Sequence, residues 1–387
     1  MATLRRFSRN AITVCVLALA CSASAQPADT PQLDDANPEH VRLELELGRY
    51  RVIERAGGWP LVPAGPTIGP GASGARVVAL AERLAASGDL PQTPSSTSVF
   101  DDALEAAVRT FQYRHGLVVD GLVGRRTLAA LNTAVERRIE QLEANIERLR
   151  NSVPHGDGIH VNIPAFEVRL LRGGETVWRA KAIVGTLDDQ TPEFDAGMTH
   201  VTLNPTWTVP RRITVEEKLP EMLADPSFFD RGGYRLYDPA GNEVRPADVD
   251  WSTMTEDRFP YTLVQMPGPG NALGQVKFVF PNEYSICMHD TPAKALFRAA
   301  VRTESHGCVR VDEPLALAAE LLAAEEWSTE RIREQVASGE TLTIVLPEAV
   351  PVTIHYRTVS VDGDGVVRFF DDVYERDAAV ARAREAL

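Results

Sequence analysis

The stretch TESHGCVRV (303–311) sets Cys308 among small and polar neighbours, with His306 two residues before it and Arg310 two residues after. A thiol attacks only as thiolate, so its ordinary pKa near 8.5 must fall before it is useful at neutral pH. That calls for an imidazole nearby. His306 is one source; the other is His289, which ends SICMH (285–289) and opens the loop DTPAKALF (290–297). Cysteine acyl-transfer enzymes more often bring the base from a separate element, so His289 is expected as the base and His306 as a supporting residue. Gly307 lets backbone approach a substrate carbonyl closely. The amides around Gly307 and Cys308 can then supply an oxyanion hole, worth ~3–4 kcal/mol per donor. Arg310 can hold a carboxylate through two parallel hydrogen bonds.

Other roles compete for Cys308. An inert buried cysteine is the usual default, but Ser305, His306, Gly307 and Arg310 make a poor core environment. Spacing does not forbid a bridge to Cys287. A zinc site built from Cys308, His306 and His289 lacks further Cys or His at ligand spacing to close it, so no metal is expected. DGDG (362–365) is not followed by the bidentate Glu of a calcium loop and reads as a hairpin turn.

HDTP (289–292) followed by SHGCVR (305–310) resembles the active-site signature of the L,D-transpeptidases, exported bacterial enzymes that remodel peptidoglycan through a cysteine acyl-enzyme. VNIPAF (161–166), VGT and QTPEF (184–194), NPTWTVP (204–210), GNALGQVKF (270–278) and FPN (280–282) resemble the large Gram-negative members. The likeness covers about 41–377 and is loosest at 211–260. It implies Cys308 as nucleophile and His289 as general base, the base's other ring nitrogen steered by a backbone carbonyl near Asp290. It implies that Ser305, His306, Gly307 and Asp290 shape the oxyanion pocket and that Arg310 binds the stem peptide. It further implies 3→3 crosslinking with release of D-Ala, no cofactor, acylation by carbapenems and a part in wall biogenesis and cell shape. The acceptor stays open between a stem amine, water and a lipoprotein lysine. Cys287 is not part of the family motif, and a regulatory disulfide to Cys308 stays open too. A non-catalytic wall-binding protein is the alternative from another class.

The elements that must position these residues form an α+β chain. Residues 41–56 read as a helix, 57–74 as a Gly/Pro-dense connector without regular structure. In 74–132, Val77, Leu80, Leu84 and then Leu104, Ala107, Val108, Phe111 recur at helical spacing. Asp101 is placed to cap the second of three short helices, and Asp120-Gly121 marks a turn. This unit resembles a peptidoglycan-binding domain. A charged helix follows within 133–158, with Ile139, Leu142, Ile146 and Leu149 as a narrow apolar stripe and a stop at Pro154. From 159 to 377 the alternation turns to β, with a Gly173-Gly174 hairpin and a polar insertion at 211–260 expected to act as a lid. Residues 311–325 are expected as a helix with Asp312 as cap and Pro314 in the first turn, and 378–387 as a tail.

Arg5, Arg6 and Arg9, an apolar run over 11–20, and Ala23-Ser24-Ala25 form an export signal cleaved near Ala25. Lipidation at Cys21 is the competing reading, which Leu19 fits poorly. Residues 26–40 are expected as a disordered lead-in. Losing three positive charges takes the formal charge from −14 to −17, which disfavours nucleic acid and anionic membrane as partners. Cys287 and Cys308 alone remain, too few for a disulfide framework. The expected setting is the periplasm, in peripheral contact with the wall, with peptidoglycan stem peptides as partner and any cell-wall synthesis enzymes unspecified.

Overall fold

The computed structural model describes residues 37–91, 98–150 and 156–385. The export signal, its cleavage near Ala25, the Cys21 alternative and the stop at Pro154 lie outside the described residues. Helix α1 (Pro38–Arg55) begins where the Asn37 side chain accepts the Glu39 N–H at 3.0 Å and Pro38 fills the first turn. Residues 37–40, expected in the lead-in, therefore belong to cap and helix. The connector forms no helix or extended strand, yet it is anchored. Trp59 donates to the Thr133 carbonyl at 3.0 Å, and the buried Arg83 guanidinium sits 3.8 Å over its ring.

Helices α2 (Ala75–Ala86), α3 (Asp102–Arg114) and α4 (Arg125–Leu131) close over Leu80, Leu84, Val108, Phe111 and Leu131, all sealed from solvent. Asp101 caps α3 as expected, accepting the Leu104 N–H at 2.9 Å. Gln112 pins the Asp120-Gly121 turn. Its amide donates to Asp120 Oδ1 and to the Leu122 carbonyl, and its oxygen accepts the Gly121 N–H. The expected stripe on α5 (Val135–Arg150) is buried against α1.

Four strands follow, β1 (Gly158–Asn162), β2 (Glu167–Arg172), β3 (Glu175–Gly185) and β4 (Phe194–Leu203). Next comes the insertion, which is a folded unit of its own. Strands β5 (Trp207–Thr208), β6 (Tyr234–Tyr237), β7 (Glu243–Val244) and β8 (Thr262–Gln265) form a small sheet ordered β5-β8-β6-β7. Beside it, α6 (Arg211–Ile213) runs through a π turn (Thr214–Lys218) into α7 (Leu219–Ala224), and α8 (Phe228–Gly232) follows. Phe228, Phe229, Leu236, Phe259 and Leu263 give it a separate apolar core. The polar composition of 211–260 hides this core, and the unit starts before 211 and ends after 260.

Strands β9 (Val276–Val279), β10 (Met288–His289), β11 (Thr303–Ser305), β12 (Val309–Val311) and β13 (Leu342–His355) complete the main sheet, ordered β11-β3-β12-β10-β9-β4-β13-β1-β2. It is mixed, with β1–β13, β10–β12 and β11–β3 parallel. The long β3 pairs with β2 along Glu175–Lys181 and with β12 through Ala182 and Ile183, so the sheet closes on itself around one apolar core.

Between β12 and β13 lie α9 (Pro314–Leu322) and α10 (Thr329–Ser338). Pro314 opens α9 as expected, but Asp312 is not its cap. Glu313 occupies that position at φ 50°, and Asp312 Oδ1 accepts the Glu313 N–H instead. The hairpin β14 (Val359–Val361) and β15 (Val367–Phe369) turns at DGDG, where Asp362 Oδ1 accepts the N–H groups of Asp364 and Val366. It buries Val359, Val367 and Phe369 against α1 and α5, so this end of the 159–377 span packs with the helical scaffold. The expected tail is largely helical: α11 (Asp377–Glu385) lies along α5, with Arg148 donating to Asp377 at 2.5 Å.

Candidate active site

Alternation along two paired strands assembles the site. In β10 and β12, Met288, Val309 and Val311 are fully buried in the main core. That leaves Cys287, His289 and Arg310 to the opposite face, while Cys308, just before β12, packs at the edge of the core. The strands run parallel, with Met288 opposite Val309 and His289 opposite Arg310. The two cysteines continue this register at the strand entrance. The Val309 N–H donates to the Cys287 carbonyl at 3.0 Å, and the Cys287 N–H donates to Cys308 Sγ at 3.3 Å.

His289 is buried, and its Nδ1 lies 2.5 Å from the Asp290 carbonyl oxygen. This is the steering contact the resemblance implies. With Nδ1–H as donor, Nε2 is left as the unprotonated acceptor. Burial pushes the imidazole from 6.5 down to about 3, and the positive charges of Arg310 and Lys277 push the same way against the Asp290 carbonyl. The ring is therefore neutral at physiological pH. It is not hydrogen-bonded to Cys308, whose sulfur contacts are to Cys287 and, at 4.0 Å, to the Ser285 carbonyl. Catalytic contacts of an empty site commonly tighten only when substrate binds.

The Cys308 thiol is lowered from 9.0 to about 7. The largest cause is a hydrogen bond from the Cys287 thiol; the Cys287 N–H, Lys277 and Arg310 add to it, while burial opposes. This revises the expectation that an imidazole would do the work, because a neutral ring stabilises a thiolate poorly. Deprotonation frees the nucleophile, so alkylation of Cys308 by iodoacetamide should rise with pH through about 7. In Cys287→Ala the midpoint should move upward. Mass spectrometry of the Cys308 peptide across a pH series reads both.

The loop that carries Cys308 is held from below. Gly307 sits at φ 101°, where a Cβ is strained and would come within 3.1 Å of Ile286. The buried Ser305 donates to the Cys308 carbonyl at 2.5 Å and accepts the Gly307 N–H at 3.2 Å. That engages the Gly307 amide, so the Cys308 N–H is the remaining oxyanion donor of the expected pair. Asp290 is also buried; its carboxylate accepts the Gln275 N–H at 2.8 Å and pairs with Lys294 at 2.5 Å, fixing the carbonyl that steers His289. Arg310 is half-buried and forms no ion pair among the described residues.

His306 departs from expectation. Its Nε2 lies 2.7 Å from Glu217 in the π turn of the insertion. Thr191 and Tyr374 were not anticipated as part of the site. Thr191, fully buried, donates to the Gly307 carbonyl at 2.7 Å and accepts the Gly185 N–H at 2.9 Å. Tyr374 donates to the Gly185 carbonyl at 2.7 Å and accepts the Thr191 N–H at 3.2 Å. Gly185 has no room for a Cβ, which would stand 2.0 Å from the Asp189 carbonyl oxygen. The only sequence signal for this support was Thr191 inside QTPEF; nothing pointed to Tyr374.

Two stretches of the chain match known families. Residues 156–345 match the YkuD family, described as the L,D-transpeptidase catalytic domain, and residues 73–131 match the "Putative peptidoglycan binding domain". A curated protein of Haemophilus influenzae named "Putative L,D-transpeptidase" is 35% identical over 249 residues, 64% of this chain and 50% of that protein. The chain thus spans about half the length of the curated relative it matches. Solved L,D-transpeptidase structures from Xylanimonas cellulosilytica and Stackebrandtia nassauensis are 15% and 12% identical. Both cover 76% of this chain, and 99% and 96% of their own, at TM-scores of 0.22 and 0.26, too low to bear on the fold. Residues 156–345 are thus similar to the L,D-transpeptidase catalytic domain, and residues 73–131 to a peptidoglycan-binding domain.

Proposed function

We propose that the protein is a periplasmic L,D-transpeptidase that forms 3→3 crosslinks in peptidoglycan. The observation that carries this reading is the β10–β12 pair, where a lowered thiol, a neutral imidazole with one nitrogen tied down, and Arg310 stand together. The Cys308 thiolate attacks the carbonyl between the diamino acid at position three of a tetrapeptide stem and its terminal D-Ala. The Cys308 N–H receives the developing oxyanion. Arg310 holds a stem carboxylate. His289 Nε2 takes the thiol proton and passes it to the departing D-Ala amine. The thioester is then opened by the side-chain amine of a second stem, whose proton leaves through the same ring. Incubation with a disaccharide-tetrapeptide and mass spectrometry of the products tests this. Crosslinked dimers with released D-Ala support it; tripeptide alone makes water the acceptor and overturns crosslinking. Carbapenems are expected to leave a covalent adduct on Cys308. The helical module is expected to hold the enzyme at the wall.

The insertion acts as a lid in this reading. His306 meets Glu217 at 2.7 Å, and Arg212 at the start of the insertion meets Asp189 at 2.7 Å, in the loop beneath Gly307. Both pairs are partly exposed, so each contributes modestly. Glu217→Gln should raise the labelling rate of Cys308 by a bulky maleimide up to about fivefold. An unchanged rate would mean that this contact does not restrain the insertion.

A further inference from the structure

The nucleophile has a second thiol beside it that the transfer reaction does not consume. Cys287 and Cys308 are both free, and their sulfurs are 3.5 Å apart. They sit at neighbouring positions of two parallel strands, next to the Met288–Val309 register pair. Adjacent strands run about 4.8 Å apart, inside the Cα separation that disulfides span, about 4.4–6.8 Å. Closing the sulfurs to about 2.04 Å therefore asks for side-chain rotation rather than strand movement. Both residues are half-buried, so a small oxidant has access.

We propose that Cys287 is a resolving thiol, and that hydroperoxides convert the pair to a reversible Cys287–Cys308 disulfide that switches the enzyme off and shields the nucleophile from irreversible oxidation. The order of events follows from the two environments. Cys308 is the more acidic thiol, while its neighbour and burial push Cys287 upward. The Cys308 thiolate attacks one peroxide oxygen; an S–O bond forms, the O–O bond breaks, and hydroxide leaves to become water. Cys287 sulfur then attacks the sulfenic sulfur of Cys308. The S–S bond forms, the S–O bond breaks, and the departing hydroxide takes the Cys287 proton as a second water. Two thiols are oxidised to one disulfide and one hydrogen peroxide is reduced to two waters. A dithiol reverses the step by exchange. Without Cys287 the sulfenic acid would continue to sulfinic acid, which dithiols do not restore.

The loss of turnover rests on Cys308 being the transpeptidase nucleophile; the disulfide does not, so the two are read separately. The full chain is treated with hydrogen peroxide, then with dithiothreitol, and followed by intact mass, peptide mapping and crosslinking activity. The wild type should lose two hydrogens, yield a linked Cys287–Cys308 peptide pair, lose activity at least about tenfold and recover nearly all of it on reduction. Cys287→Ser and Cys287→Ala should gain oxygen on Cys308 and recover little of their own starting activity. Oxygen addition to wild-type Cys308 with no linked peptide would overturn the proposal, as would recovery of both variants equal to wild type. Should neither variant fold, the wild-type peptide map decides alone. A linked pair with unchanged turnover would spare the disulfide and sink Cys308 as nucleophile.

Discussion

Cys308→Ala is expected to fold normally and to lose at least ~10³-fold in crosslinking rate. The side chain packs at the edge of the main core without being sealed in it, so truncation costs little structure. The loop keeps its shape through Ser305, Thr191 and the backbone of Gly307, none of which uses the sulfur. What disappears is the atom proposed to form the covalent bond. Cys287 lies 3.5 Å from the Cys308 sulfur at the entrance of the adjacent strand, but it is pushed above the ordinary thiol range. Rates from purified protein with a disaccharide-tetrapeptide, alongside thermal unfolding, separate lost chemistry from lost fold. Retained crosslinking would remove Cys308 from the mechanism.

His289→Asn should lower turnover by ~10²–10⁴-fold while leaving the alkylation profile of Cys308 close to wild type. The first effect follows from the proton that the leaving D-Ala amine requires. The second follows from the origin of the thiol's acidity, which comes first from Cys287 and not from the neutral ring. Asn can still donate toward the Asp290 carbonyl, so the local backbone contact is not simply deleted. Iodoacetamide rates over pH, measured beside crosslinking rates, distinguish this from an ion-pair mechanism. In an ion pair, loss of the imidazole would raise the thiol pKa and slow alkylation together with turnover.

The candidate site was legible because its residues lie in contiguous letters. SHGCVR places a cysteine, a flexible glycine and an arginine within six residues, and HDTP supplies a histidine whose neighbour provides the steering carbonyl. Period-two alternation likewise gave the β part, and helical spacing gave the three-helix module and the α5 stripe. What alternation does not encode is partner choice between strands. That β10 and β12 run side by side, placing Cys287 against Cys308, follows from sheet order. Thr191 and Tyr374 were hidden for the same reason, since they reach the loop that carries Cys308 from 116 and 189 residues away in sequence, measured to Gly307 and Gly185. The contact of His306 with Glu217 of the insertion was not legible, because it joins residues 89 positions apart in sequence. The insertion misled by composition, with charged surface residues outnumbering the aromatic core of Phe228, Phe229 and Phe259. Helix α10 lies in a stretch given no element from the sequence, and α11 covers most of the stretch expected as a tail.

The covalent intermediate is the most direct measurement. Wild-type protein mixed with a tetrapeptide donor and no amine acceptor, quenched in acid and digested, should show the peptide containing Cys308 carrying the stem as a tripeptidyl thioester, with D-Ala released in equal amount. A donor consumed with no acyl group on Cys308, or an acyl group found on another residue, would contradict it.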